Sequence, residues 1–78
     1  PVREFFESVD ERVQDSLVAS LEILRRRNVQ ARAPLVRHLD GKLGELRDEV
    51  RTNIFRVINF FSHERRIILL HAFQKKTQ

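Results

Sequence analysis

The sequence predicts an α+β fold in which two N-terminal helices pack on one face of a three- to four-stranded antiparallel sheet. Apolar residues recur at helical spacing in the first third of the chain, whereas beyond residue 42 they follow the two-residue period of strands. The links between the predicted strands are short, which favours an antiparallel meander. Helices that precede such a meander are expected to cover one of its faces and to leave the other partly open.

The helical segment predicts two helices with one shared apolar face. That face carries Val2, Phe5, Phe6, Val9, Val13, Leu17, Leu21 and Leu24. Ser8 and Glu11 have the spacing of a capping box, which predicts a break near Ser8. The cations of Arg25 to Arg27 would complement the negative end of the helix dipole, although the same cluster could bind a phosphate or an acidic segment. Asn28 is expected to end the helix in the left-handed conformation.

Three strands are predicted in the second half, with a short strand or an irregular extended segment before them. Asp40-Gly41 is a tight-turn signal, so Leu35 to Leu39 is expected to lead into a strand within residues 42–48. The runs from about Asn53 to Phe61 and from about Arg66 to Gln74 are apolar on both faces. Both runs are therefore predicted to be central strands.

Composition limits the function classes. The 78 residues fit one domain, and a chain of this length buries only about 60% of its unfolded surface, so a dimer contact could add stability. The net charge of +4 favours RNA, DNA or an acidic protein segment as partner. The absence of cysteine excludes disulfides and cysteine-based zinc sites, and His38, His63 and His71 are too scattered to predict a metal site. No apolar run is long enough to span a membrane, so we expect a soluble protein, and the absence of cysteine is compatible with a cytoplasmic location.

Five segments carry a family resemblance when they are taken in order: Pro1-Val-Arg-Glu-Phe-Phe6, Pro34-Leu-Val-Arg-His-Leu39, Glu45-Leu-Arg47, Phe55-Arg-Val-Ile58 and Leu69-Leu-His-Ala-Phe-Gln-Lys-Lys-Thr-Gln78. Together they resemble the RelE/HigB superfamily of bacterial toxins, and most closely its HigB-like, phage-related branch. The resemblance implies one toxin domain over residues 1–78 that lacks the family's first strand and C-terminal helix. The chain departs from the pattern at Gly44, where many relatives carry a bulky aromatic residue, and in having no tyrosine.

The resemblance also implies an activity, which is cofactor-free and metal-independent cleavage of messenger RNA in the ribosomal A site. The expected partners are mRNA on the ribosome and a cognate antitoxin, a helix-turn-helix DNA-binding protein, in a dimer or a toxin–antitoxin heterotetramer. Cleavage by the RNA's own 2′-hydroxyl needs a base, an acid and cations that stabilise the charge on phosphorus. The predicted catalytic residues are Arg47, Arg56, His71 and Lys75, and the predicted RNA contacts are Arg37, Lys42 and Lys76.

Alternatives remain open for these residues. Arg56 could instead form a salt bridge with Glu45, Asp48 or Glu49, because a guanidinium in an apolar strand needs a partner. His71 could be a packed, hydrogen-bonded residue rather than a proton-transfer group. The chain as a whole could be a non-catalytic basic interaction module of the same fold. A helix-turn-helix DNA binder is disfavoured, because the strand-rich second half leaves no recognition helix.

Overall fold

The computed structural model describes residues 2–75, apart from the side chain of Val29, and confirms the α+β fold. Helix α1 spans Val2–Ser8 and α2 spans Glu11–Arg27, followed by a 3-10 turn at Asn28–Gln30. The strands are β1 Val36–Asp40, β2 Leu43–Val50, β3 Asn53–Phe61 and β4 Ile67–Lys75. They form one antiparallel sheet in the order β1-β2-β3-β4. Within residues 2–75, no helix is both long and apolar enough to cross a membrane.

The break between the two helices lies where the sequence predicts it, but the predicted capping box is wrong. Asp10 caps α2, and its carboxylate accepts a hydrogen bond of 3.0 Å from the backbone N–H of Val13. Ser8 lies in the last turn of α1, and its hydroxyl donates to the carbonyl of Phe5 at 2.6 Å. The Ser8 hydroxyl is therefore engaged in the preceding helix rather than at the start of α2.

The end of α2 agrees with the sequence in two respects. Arg25 to Arg27 occupy the last turn, as the dipole argument predicts. Asn28 has the expected positive φ of 51°, although its ψ of −129° lies outside the left-handed helical region. The guanidinium of Arg25 hydrogen-bonds Glu22 at 3.0 Å and lowers the pKa of that carboxyl. Arg25 is thus paired within its own helix.

The core lies between the helices and one face of the sheet. Its buried apolar members are Val13, Leu17, Leu24, Ala31, Val36, Leu46, Phe55, Val57, Phe61 and Ala72. The ring of Phe5 meets Phe55 edge to face, with centroids 6.1 Å apart, and the hydroxyl of Ser20 donates to Asp48 at 3.2 Å. The even-numbered residues of β2 therefore face the helices, and the odd-numbered residues face away from them.

The predicted turn at Asp40-Gly41 is present, but the prediction that the last strand is central is wrong. Gly41 has a φ of 54°, and the hairpin pairs β1 with β2. Strand β4 pairs with β3 alone among the described strands, so it is an edge strand. Its residues Ile68 and Leu70 are 49% and 46% exposed. An apolar run on both faces predicts burial, but the order of strands in the sheet decides it.

Gly44 leaves space that two core side chains fill. A Cβ atom at this position would lie 3.0 Å from Oδ1 of Asn59 and 3.1 Å from Cε2 of Phe61. Both of these neighbours are fully buried, so neither can move freely. We expect Gly44→Ala to lower the free energy of unfolding by about 1–3 kcal/mol, the usual cost of overpacking, as measured by urea denaturation.

Gly41→Asn is the matched control for this substitution. No atom lies within 4 Å of the position of a Cβ on Gly41, and asparagine tolerates positive φ. Its free energy of unfolding is expected to change by no more than about 0.5 kcal/mol. Equal effects of the two substitutions would contradict tight packing at Gly44.

Candidate functional site

The strand register brings the four predicted catalytic residues to the sheet face that the helices leave open. Residues opposite each other on neighbouring strands share a face, and they form three adjacent rows across the sheet. These rows are Arg37, Glu45, Ile58 and His71; Arg47, Arg56 and Phe73; and Glu49, Ile54 and Lys75. Adjacent rows are about 7 Å apart, because they are two residues apart along a strand. Arg56 is in the middle row, with His71 and Lys75 diagonally on either side of it.

A bulge in β4 sets the direction of His71. Ile58 lies opposite His71 while Asn59 lies opposite Leu69, so Leu70 is an extra residue in β4. Leu69 packs against the core. In a regular strand His71 would share the face of Leu69, because side chains alternate. The bulge instead places His71 on the open face, where it is exposed, so His71 is not the packed residue of the alternative reading.

Arg56 forms an ion pair with Glu45, as one reading of the sequence allows. The two side chains are only 16% and 12% exposed. The Nε atom of Arg56 is buried and has no hydrogen-bond partner among the described residues. The other proposed partners are used elsewhere, because Asp48 faces Ser20 and Glu49 lies 3.6 Å from Arg47. Arg56 therefore combines one carboxylate contact with an unused donor.

A groove of about 560 Å³ opens beside this ion pair, and we call it the arginine groove. It runs from Arg47 and Arg56 to residues 32–34 and β1, and its charged or titratable lining residues are Arg32, Arg37, His38, Glu45, Arg47 and Arg56. Glu45 is the single carboxylate among the described lining residues, against four guanidinium groups. Such an excess of positive charge in one concave surface favours an anionic ligand.

Three charged or titratable residues of this groove, Arg32, His38 and Glu45, escaped the sequence-based prediction of the site. Glu45 could have been found, because it shares a strand face with Arg47 and the next strand carries Arg56. Arg32 and His38 had no such signal. The His38 ring stacks on Phe61 with centroids 5.7 Å apart, and its Nε2 lies 2.8 Å from the carbonyl oxygen of Ala31 and 3.1 Å from Nη1 of Arg32.

The remaining predicted residues lie outside the groove. Lys75 is exposed in the outer row next to Arg56. Lys42 lies in the turn between β1 and β2, about 17 Å along the chain from Arg47 at about 3.4 Å per residue. Lys76 lies outside the described residues. Of the three predicted RNA contacts, the structure thus brings Arg37 to the groove and keeps Lys42 away from it.

An aromatic pair lies beside the arginine groove on the same face. The rings of His71 and Phe73 stack with centroids 5.5 Å apart and an angle of 29°. Phe73 lies opposite Arg56 on the neighbouring strand. Stacked rings next to a basic groove can bind the bases of a single-stranded nucleic acid. The open face therefore presents cations and aromatic rings together.

The comparisons with known proteins give one match. The sequence model of the family described as "Phage derived protein Gp49-like (DUF891)" matches residues 4–78. The match includes every residue discussed above for the open face and the arginine groove. No curated protein and no solved structure matches the chain.

Proposed function

Because the chain belongs to the phage-derived Gp49-like family, which is associated with the toxins of toxin–antitoxin systems, we propose that it is such a toxin and cleaves messenger RNA on the ribosome. The single observation that carries this proposal is the shared open face of Arg47, Arg56 and His71. The type of reaction and its dependence on the ribosome are inferred from the resemblance to the RelE/HigB superfamily. We propose that the protein acts in the cytoplasm.

In the proposed reaction, the 2′-oxygen of a ribose attacks the adjacent phosphorus and the bond to the departing 5′-oxygen breaks. Negative charge accumulates on the phosphate oxygens as the new bond forms. Arg47 and Arg56 lie opposite each other on neighbouring strands, so their guanidinium groups can bind one phosphate together. The planar fork of arginine suits this geometry better than a lysine does.

Glu45 and His71 are the proposed proton-transfer groups. They lie in one row with Ile58 between them, about 10 Å apart at the usual strand spacing. Arg56 occupies the next row between them, so a phosphate bound there has one group on each side. In-line displacement needs this arrangement, because the attacking and departing oxygens leave from opposite sides of phosphorus. We assign the carboxylate of Glu45 to remove the 2′-proton and His71 to protonate the 5′-oxygen, with Lys75 as a further cation.

The second candidate is a non-catalytic basic module of the same fold that binds a partner protein or RNA. The ion pair between Arg56 and Glu45 favours it, since two charges that neutralise each other can be purely structural. Under the first function, a cognate helix-turn-helix antitoxin would act by covering the open face or by blocking entry to the ribosome.

Expression of the protein is expected to arrest translation through cleavage of mRNA. Primer extension on a reporter message would show new 5′ ends within the coding sequence, and co-expression of the antitoxin would remove them. His71→Ala is a suitable comparison, because His71 is exposed and its loss should spare the fold. Translation arrest with intact message would reject the nuclease and favour the binding module.

A further inference from the structure

Among the described residues, Arg37 is a cation without an ion-pair partner on the open face. It lies on β1 opposite Glu45, and its side chain is exposed. The carboxylate of Glu45 is bonded to Arg56. Among residues 2–75, the structure records no ion pair of Arg37. A guanidinium in this position remains available to a ligand.

Arg32 also lines the arginine groove. Its Nη1 donates to the carbonyl of Ala31 at 3.1 Å and lies 3.1 Å from Nε2 of His38. The His38 ring is itself fixed by stacking on the buried Phe61. The arginine groove thus has two cationic ends. Arg47 and Arg56 form one on β2 and β3, and Arg32 and Arg37 form the other beside β1.

We propose that the β1 end of the arginine groove is a second phosphate subsite. In it, Arg37 and Arg32 bind the phosphodiester next to the one held by Arg47 and Arg56. This inference rests on the proposed function for the identity of the ligand, a single strand of RNA. Repeated cations along one groove suit repeated phosphates, and the stacked rings of His71 and Phe73 on the same face suit unpaired bases.

Short oligonucleotides that resist cleavage test the subsite by their length. The probes are 2′-O-methyl oligouridylates without terminal phosphates: a dinucleotide with one phosphodiester and a trinucleotide with two. Wild type is expected to bind the trinucleotide more tightly than the dinucleotide. Arg37→Ala should remove most of this gain and leave binding of the dinucleotide nearly unchanged. Arg37→Lys keeps the charge and should retain part of the gain.

The salt dependence of trinucleotide binding gives a second readout. Each lost phosphate contact to a single strand lowers the slope of log affinity against log salt by about 0.7. Between 50 and 200 mM salt, Arg37→Ala should therefore lose about 2.6-fold less affinity than wild type. Arg66→Ala is the matched control. Arg66 carries the same charge on a side chain that is 77% exposed in the link between β3 and β4, so its replacement should leave the slope unchanged.

The outcomes separate this inference from the proposed function. The subsite would be overturned if wild type and Arg37→Ala showed the same gain in affinity from dinucleotide to trinucleotide and the same salt dependence of binding. A failure of wild type to bind the trinucleotide would also overturn it. Cleavage of mRNA by wild type would still support the proposed function in those cases. An Arg37-dependent gain in a protein that leaves mRNA intact would support the subsite and reject the nuclease.

Discussion

Arg56→Ala is expected to lower the rate of mRNA cleavage about 100- to 1000-fold. In the proposed reaction Arg56 stabilises charge that develops on the phosphate, and one such contact is typically worth about 3–4 kcal/mol in the transition state. The measurement is the rate of reporter-message cleavage in a translating extract with purified protein. The same substitution leaves Glu45 without its partner in a site where both side chains are largely buried. Stability therefore has to be measured together with the rate.

Arg56→Lys is the variant that separates the two effects. A lysine keeps the positive charge beside Glu45, so the fold should survive with little loss of stability. It lacks the planar fork that gives paired hydrogen bonds to a phosphate, so most of the rate should still be lost. Wild-type cleavage by Arg56→Lys would show that paired phosphate contacts at this position are not needed. Arg56 would then be a structural partner of Glu45.

Local patterns in the sequence were sufficient for most of the architecture. The apolar run from about Asn53 to Phe61 predicts the bounds of β3, because its length and its β-branched and aromatic residues are local properties of a strand. The apolar stripe of the helices predicts which side chains reach the core, and Asp40-Gly41 predicts the first hairpin. These separate signals all predict an α+β fold, and the structure confirms it.

Features that depend on contacts between distant residues escaped prediction. The sequence predicts Ser8 as the N-cap of α2, whereas the structure has Asp10. Both residue types can cap a helix, and only the position at which α1 ends decides between them. The edge position of β4 depends on which strands pair, which its apolar composition does not reveal. Glu45 joins the candidate site only because the register brings it next to Arg56. Lys42 is basic like Arg37, but its place in the turn separates it from the groove.

The bulge at Leu70 is the clearest example of such a feature, and deletion of Leu70 tests it. Leu69 and His71 are two residues apart, so they lie on opposite faces only because Leu70 is an extra residue in β4. Deletion of Leu70 makes Leu69 and His71 adjacent. A regular β4 then keeps the observed pairs, with Leu69 opposite Asn59 on the core face and His71 opposite Ile58 on the open face.

Deletion of Leu70 is therefore expected to leave Ile67 and Leu69 against the core and to change the free energy of unfolding by no more than about 0.5 kcal/mol, because the side chain that is lost is 46% exposed. Cleavage of mRNA should be retained, because His71 keeps its face. Urea denaturation measures the stability, and the chemical shifts of Ile67 and Leu69 report their environment.

Leu70→Ala is the control, because it keeps the bulge and replaces a side chain that is 46% exposed, so its effect should stay within about 0.5 kcal/mol. A deletion variant that is much less stable than this control, or in which Ile67 and Leu69 become exposed, would contradict the bulge at Leu70 and the register that sets the direction of His71.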